Sequence, residues 1–215
     1  MDGTFITFEG IDGSGKSTQL SLLIDVLASK GVDAVSTREP GGTPLGRRLR
    51  AAFLESEEEV APLAELLLFA ADRAQHVEYL VKPAIAAGKV VISDRFADAT
   101  AAYQGAGRGF PKDTLEKLIT MATGGLKPDL TLIFDLPVKE AIARMSDRSH
   151  SDVPNRMDAE DAVFYERVRA SYLEIADREP ERVHVIDAAA PAAEVAVAVN
   201  ALILPYLSRY FPAAA

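Results

Sequence analysis

The stretch Gly10-Ile-Asp-Gly-Ser-Gly15-Lys16-Ser17 constrains this chain more than any other feature. It has the spacing G-x-x-x-x-G-K-[ST], and it lies between an apolar, β-rich run at Thr4–Glu9 and a helical pattern that starts at Lys16. Glycines let such a loop turn so that backbone N–H groups converge on phosphate oxygens. The helix that follows adds the positive end of its dipole. Lys16 is placed to reach the β- and γ-phosphates, and the Ser17 hydroxyl is suited to hold Mg²⁺. Gly10, Ile11, Asp12, Gly13, Ser14, Gly15, Lys16, Ser17 and Thr18 therefore read as a nucleoside triphosphate site.

The rest of the chain supplies the sheet that such a loop needs. Further strand-like runs occur at Val32–Thr37, Lys89–Ser93, Asp129–Asp135 and Arg182–Asp187. Helical patterns at Lys16–Lys30, Leu45–Leu54, Ala61–Ala87, Lys112–Thr123, Val138–Met145, Glu160–Asp177 and Ala192–Ser208 fill the intervals. Gly31 and Gly88 close two of them, and Pro83 falls near the last turn of the long one. Strands without inside/outside alternation are buried on both faces. Their alternation with helices predicts an α/β fold of the P-loop NTPase type, a parallel five-stranded sheet with helices on both faces. A length of 215 residues suits a single domain. The polar, turn-rich segment SDRSHSDVPN (Ser146–Asn155) reads as a mobile excursion from it.

Composition excludes several classes of function. A net charge of −9 argues against an extended nucleic-acid surface, since a duplex binder must neutralise many phosphates. Small phosphorylated ligands need only a local pocket of positive charge. The cations are 15 Arg and 8 Lys, and Arg offers a planar fork that matches phosphate oxygens in pairs. With no cysteine, disulfides, zinc–thiolate sites, iron–sulfur clusters and thiol nucleophiles are all ruled out. No apolar run approaches the ~20 residues needed to cross a bilayer. The start MDGTFITFEG has no signal-peptide pattern, so the cytoplasm is the expected location.

A phosphate loop alone leaves the reaction open. A switch GTPase would carry an N-K-x-D motif, which is absent. The strand ending at Ser93 is followed by Asp94-Arg95. A carboxylate at a strand tip can orient Mg²⁺ or its waters, while the neighbouring Arg grips a second phosphate. An acid and a base together fit transfer between two phosphorylated ligands better than a switch.

Several further motifs occur in order: FEGIDGSGKST (Phe8–Thr18), TREPGGTPLG (Thr37–Gly46), LLFAADRAQH (Leu67–His76), SDRF (Ser93–Phe96), AYQGAGRG (Ala102–Gly109), KPDLTLIFDLP (Lys127–Pro137) and NRMD (Asn155–Asp158). Together they make the chain resemble the bacterial thymidylate kinases, nucleoside monophosphate kinases, over nearly its whole length. The resemblance implies ATP with Mg²⁺ as donor, dTMP as acceptor, dTDP as product and a homodimer, with no membrane or nucleic-acid polymer as partner.

The same resemblance distributes roles among residues. Phe69 and Arg73, four apart on one helical face, would stack on a pyrimidine and donate to a base carbonyl. Thr100 and Gln104 share another face, and Gln104 can both donate to and accept from a thymine edge. Tyr103 would crowd the 2′ position of the sugar. Asp12 would accept from the 3′-hydroxyl or approach the acceptor phosphate. Arg38, Arg50 and Arg95 belong to the acceptor side, with Pro40 fixing the turn. Glu39 would arrange magnesium waters or those arginines, beside Ser17 and Asp94. Gly13 stands where one branch of the family carries a basic residue, so a mobile lid spanning residues 146–157 is expected to donate positive charge: Arg148 or Arg156 to the transferring phosphate, Arg144 near adenine. Lys16, Arg95, Asp12 and the lid arginines would carry catalysis. His76, His150 and His184 form no ligand set. The alternatives are a P-loop kinase for another deoxynucleotide or a deoxynucleoside, and an ATP-dependent switch protein.

Overall fold

The structure, a computed structural model, describes residues 3–56, 58–147 and 156–211. Arg148 and most of the proposed lid lie outside the described residues. Strands β1 (Thr4–Glu9), β2 (Ala34–Arg38), β3 (Val90–Asp94), β4 (Leu130–Asp135) and β5 (Val183–Asp187) form one parallel sheet in the order β2-β3-β1-β4-β5. Register explains the missing alternation. Phe5 lies beside Val91 and Ile6 beside Ile92. Phe5 and Val91 pack with Val77, Val81 and Phe96 on one face. Ile6, Phe8 and Ile92 join Leu23, Leu27 and Val199 on the other. Both faces are apolar because helices cover both.

The helices are α1 (Lys16–Ser29), α2 (Pro44–Leu54), α3 (Pro62–His76), α4 (Lys82–Ala86), α5 (Ala97–Ala99), α6 (Lys112–Thr123), α7 (Val138–Ser146), α8 (Ala162–Arg178) and α9 (Ala192–Tyr206). Two starts show their local logic. Thr43 caps α2 by accepting from the Gly46 N–H at 3.0 Å, with Pro44 in the first turn, and Asp161 caps α8 from Phe164 N at 2.7 Å. The pattern read as one helix over Ala61–Ala87 is instead α3, a π-helical turn at Val77–Val81, and α4. Pro83 has no N–H and its ring crowds the carbonyl four residues earlier, so a wider turn precedes it. A second π-helical segment, Thr100–Gly107, continues from α5. Among the described residues no helix is long and apolar enough to cross a membrane.

The chain winds from β1 to one side of the sheet and, after β3, crosses β1 to reach β4. Such a reversal opens a crevice at the carboxyl ends of the central strands. Gly10, Glu39 and Arg95 directly follow β1, β2 and β3, so their segments meet there.

Candidate active site

The phosphate loop is held against β4 and α7. Gly10 has φ 134 and Gly13 φ 81. A Cβ would lie 2.6 Å from the Phe134 carbonyl oxygen at Gly10 and 2.6 Å from that of Ala141 at Gly13, so neither position admits a side chain without rearrangement. Lys16 is only 5% exposed. Its Nζ donates to the Gly10 carbonyl at 3.0 Å, the Ile11 carbonyl at 2.8 Å and Ser14 Oγ at 3.3 Å. Burial, followed by the charge of Arg95, lowers its pKa to about 8. Ser17 Oγ donates to Asp94 Oδ2 at 2.8 Å, which joins the first turn of α1 to the tip of β3. Thr18 is exposed on that same turn. Arg144, in the last turn of α7, donates to the Ala188 carbonyl at 3.1 Å, just beyond β5.

Beside the loop opens a cleft enclosing about 540 Å³ of space, part of it continuous with solvent. Asp12, Glu39, Pro40, Arg50, Phe69, Arg73, Arg95, Thr100, Tyr103 and Gln104 all line it, together with Leu54, Ala99 and Met157. Arg95 forms the wall nearest the loop. Its φ of 73 is left-handed, which costs a non-glycine residue about 1–2 kcal/mol. Two bonds hold it there: Arg95 N donates to the Phe8 carbonyl at 2.9 Å, and Ser93 Oγ donates to the Arg95 carbonyl at 2.7 Å. The guanidinium thereby turns back over the loop. It donates to the Gly10 carbonyl (3.0 Å), Asp12 Oδ1 (2.9 Å), the Tyr103 hydroxyl (3.0 Å) and the Tyr172 hydroxyl (3.3 Å). Tyr103 donates in turn to Asp12 Oδ2 at 2.9 Å. Burial alone would raise the Asp12 carboxyl, but Arg95 and Lys16 outweigh it and hold the group below the usual carboxylate range.

At the far end, Arg73 is 3% exposed. Its Nε donates to Glu39 Oε2 at 2.7 Å, and its terminal nitrogens donate to Thr100 Oγ1 at 2.7 Å and the Phe96 carbonyl at 2.8 Å. The second Glu39 oxygen accepts from His76 Nδ1 at 2.8 Å, while His76 Nε2 is hydrogen-bonded to Thr37 Oγ1. Both oxygens of Glu39 thus orient cationic or N–H groups, Arg73 and His76 rather than the expected Arg38, Arg50 or Arg95. The Glu39–Pro40 peptide is cis. Phe69 meets Phe53 edge-to-face with centroids 4.9 Å apart. Arg50 is the least restrained cation of the cleft: it reaches the Pro40 carbonyl at 3.4 Å and Glu55 at 3.7 Å. Its pKa is lowered by burial and then by the charge of Arg38, and both side chains pass close to Gly41.

A thymidylate kinase family model matches residues 8–199. The chain belongs to the thymidylate kinase family. It is 50% identical over 210 residues to a thymidylate kinase of Desulfovibrio desulfuricans, covering 95% of this chain and 97% of that one. It is 51% identical over 197 residues to a thymidylate kinase of Desulfosudis oleivorans, covering 89% and 92%. The crystal structure of a thymidylate kinase from Ehrlichia chaffeensis superposes with a TM-score of 0.76 at 36% identity, covering 94% of this chain and 99% of that one.

Sequence reasoning about this family member left some of the cleft's machinery unseen. Glu65 accepts from Gln104 Nε2, from Arg108 and from Arg156. Arg156 also donates to the Phe53 carbonyl at 3.4 Å. Arg156, one of the two arginines expected at the transferring phosphate, thus sits at the end of the cleft away from the loop. Glu9, fully buried at the tip of β1, accepts from Phe96 N at 2.7 Å and from the Tyr172 hydroxyl at 2.8 Å. The one available signal for Glu65 is its spacing, four residues before Phe69 and on the same helical face. Leu54, Ala99 and Met157 carry no chemical signal at all.

Proposed function

We propose that this chain transfers the γ-phosphoryl group of ATP to dTMP, giving dTDP and ADP. The observation that carries this reading is a single cleft. One end holds Phe69, Arg73 and Gln104, which suit a pyrimidine, and the other holds Arg95 and Asp12 against the phosphate loop. Phosphoryl transfer asks for alignment and neutralisation of developing charge, and the attacking oxygen of a monophosphate is already ionised. Lys16 binds the donor phosphates, while Arg95 and Arg50 grip the acceptor phosphate. Asp12 takes the 3′-hydroxyl or holds Arg95 in place. Tyr103 fills the space beside C2′ of the sugar.

The hard oxygen donors Ser17 and Asp94, already in contact, fit Mg²⁺, which needs few protein ligands when phosphates supply the rest. Among the described residues no group of three or more His, Asp or Glu could hold a metal by itself. When bound, the ion would neutralise charge on the phosphate oxygens. In the same reading the enzyme is a cytoplasmic homodimer. Leu63, Leu67 and Tyr79, exposed at 57%, 51% and 71% on α3 and the turn after it, supply apolar surface for the dimer. Closure of residues 146–157 would exclude water, a competing acceptor. If neither Arg148→Ala nor Arg156→Ala lowers kcat at least about tenfold, the lid does not supply charge to the transferring phosphate.

The test is ADP formation from ATP with dTMP, dUMP, dCMP, dAMP or thymidine, with Lys16→Ala as control. Preference for thymidine or a purine nucleotide overturns the proposed acceptor.

A further inference from the structure

Glu65 lies in the first turn of α3, and its side chain is 0% exposed. Three partners converge on it. Gln104 Nε2 donates to Oε1 at 3.0 Å, Arg108 donates to both oxygens at 3.3 and 3.1 Å, and Arg156 donates to Oε2. Burial alone would raise this carboxyl, but the hydrogen bonds from Arg108, Gln104 and Arg156 outweigh it and hold it ionised. An ionised carboxylate accepts and cannot donate. The Gln104 amide therefore has one admissible orientation, with its NH₂ toward Glu65 and its carbonyl toward the cleft that it lines. Flipped, it would set oxygen against a buried carboxylate.

Arg73 stands at the same end. Each of its terminal nitrogens gives one N–H to the protein and keeps a second. The base end of the cleft thus presents an acceptor beside donors. Thymine and uracil carry a protonated N3 flanked by carbonyls. Cytosine carries an unprotonated N3 beside an amino group, the opposite pattern.

We propose that Glu65 is a positioning residue that fixes the Gln104 amide with its carbonyl toward the base, so that the cleft selects pyrimidines with a protonated N3 over cytosine. This rests on the pyrimidine nucleotide acceptor proposed above.

Glu65→Gln separates this role from simple packing. Arg108 and Arg156 would claim the single remaining oxygen at position 65, leaving the new amide NH₂ facing Gln104. Gln104 would then turn its carbonyl toward position 65 and present NH₂ to the cleft, a pattern suited to cytosine. The ratio of kcat/KM for dTMP to that for dCMP is expected to fall at least about tenfold, with the KM for ATP within about twofold of wild type. In a Gln104→Leu background, Glu65→Gln should change the ratio no further. A merely structural role would lower both substrates alike, and an unchanged ratio in Glu65→Gln overturns the proposal. Gln104→Leu, which leaves Glu65 paired with both arginines, decides the matter should Glu65→Gln fail to fold, since an unchanged ratio there also overturns it. Wild-type protein inactive on dTMP defeats the acceptor reading and this one with it. Wild-type protein active on dTMP, with variants of unaltered ratio, defeats only the role of Glu65.

Discussion

Arg73→Leu is the substitution whose consequence is best fixed by the structure. The guanidinium makes three hydrogen bonds of 2.7–2.8 Å to Glu39, Thr100 and the Phe96 carbonyl. Its side chain and that of Glu39 are each 3% exposed. Removing one member of a buried ion pair costs about 3–5 kcal/mol, because the other charge is left without its counterion. For a chain of this length each kcal/mol moves the melting temperature by about 2–4 °C, so a loss of roughly 6–20 °C is expected. His76 still faces Glu39, which favours the lower part of that range. The KM for dTMP should rise at least about tenfold, since the proposed charge-assisted hydrogen bond to the base would be lost. Thermal melts without ligand, together with dTMP titrations at saturating ATP, measure both effects. Glu39→Gln added to Arg73→Leu removes the stranded charge and should recover part of the melting temperature without restoring the KM. Arg73→Leu melting within about 3 °C of wild type, or a double variant no more stable than the single one, would refute this account of the pair.

Three further outcomes follow from the loop and its surroundings. Lys16 must be protonated to meet phosphate charge, so kcat/KM for ATP should be full below its pKa of about 8 and fall above it. Lys16→Arg, which stays charged, should remove that alkaline limb, and its persistence would argue against Lys16 as the source. Gly13→Ala places a Cβ 2.6 Å from the Ala141 carbonyl oxygen at a φ of 81, and should lower the melting temperature and raise the KM for ATP. The left-handed backbone alone accounts for about 1–2 kcal/mol of that loss, and an unchanged melt would contradict the packing of α7 on the loop. Glu9 is raised from an ordinary 4.5 to about 7 by burial and then by the charge of Asp98. Between these values the folded state binds the extra proton, so this group lowers stability as pH rises from 4.5 toward 7. Glu9→Gln should therefore compare better with wild type in melts at pH 8 than at pH 5, and an equal comparison at the two pH values would show that Glu9 is ionised throughout.

The phosphate loop and the sheet were legible because their signals are local. A glycine spacing fixes the loop, and continuous apolar runs fix strands buried on two faces. Helical spacing put Phe69 with Arg73 and Thr100 with Gln104 on shared faces, which survives even where the second pair lies in a π-helical segment, while their assignment to an acceptor came from the resemblance alone. The break at Val77–Val81 was not, since a proline near a helix end normally costs nothing in the pattern. Buried acids were the main loss. Glu65 in AELLLFAADR reads like any solvated helix charge, and its partners Gln104 and Arg108 stand 39 and 43 residues away. Only the packing of Thr100–Gly107 against α3 makes it an internal group. The left-handed backbone of Arg95 was equally invisible, because it is imposed by bonds to Phe8 and Ser93 rather than by any preference of arginine.

The acids also explain how a chain of net charge −9 can shape a site for two phosphorylated ligands. Asp12 holds Arg95, Glu39 holds Arg73, and Glu65 holds Arg108 and Arg156. Donors fixed in this way need no reorganisation when a ligand arrives, which is where preorganised sites gain most. The cost is that each fixed cation is already partly neutralised, so it defines direction more than it attracts. Arg50 is the exception, with its nearest carboxylate 3.7 Å away and Arg38 adding to its positive surroundings. In the proposed reading an entering phosphate gains more from Arg50 than from the tightly paired arginines. Those arginines set where the ligand sits, and Arg50, whose ion pair to Glu55 spans 3.7 Å, supplies the least compensated charge of the cleft.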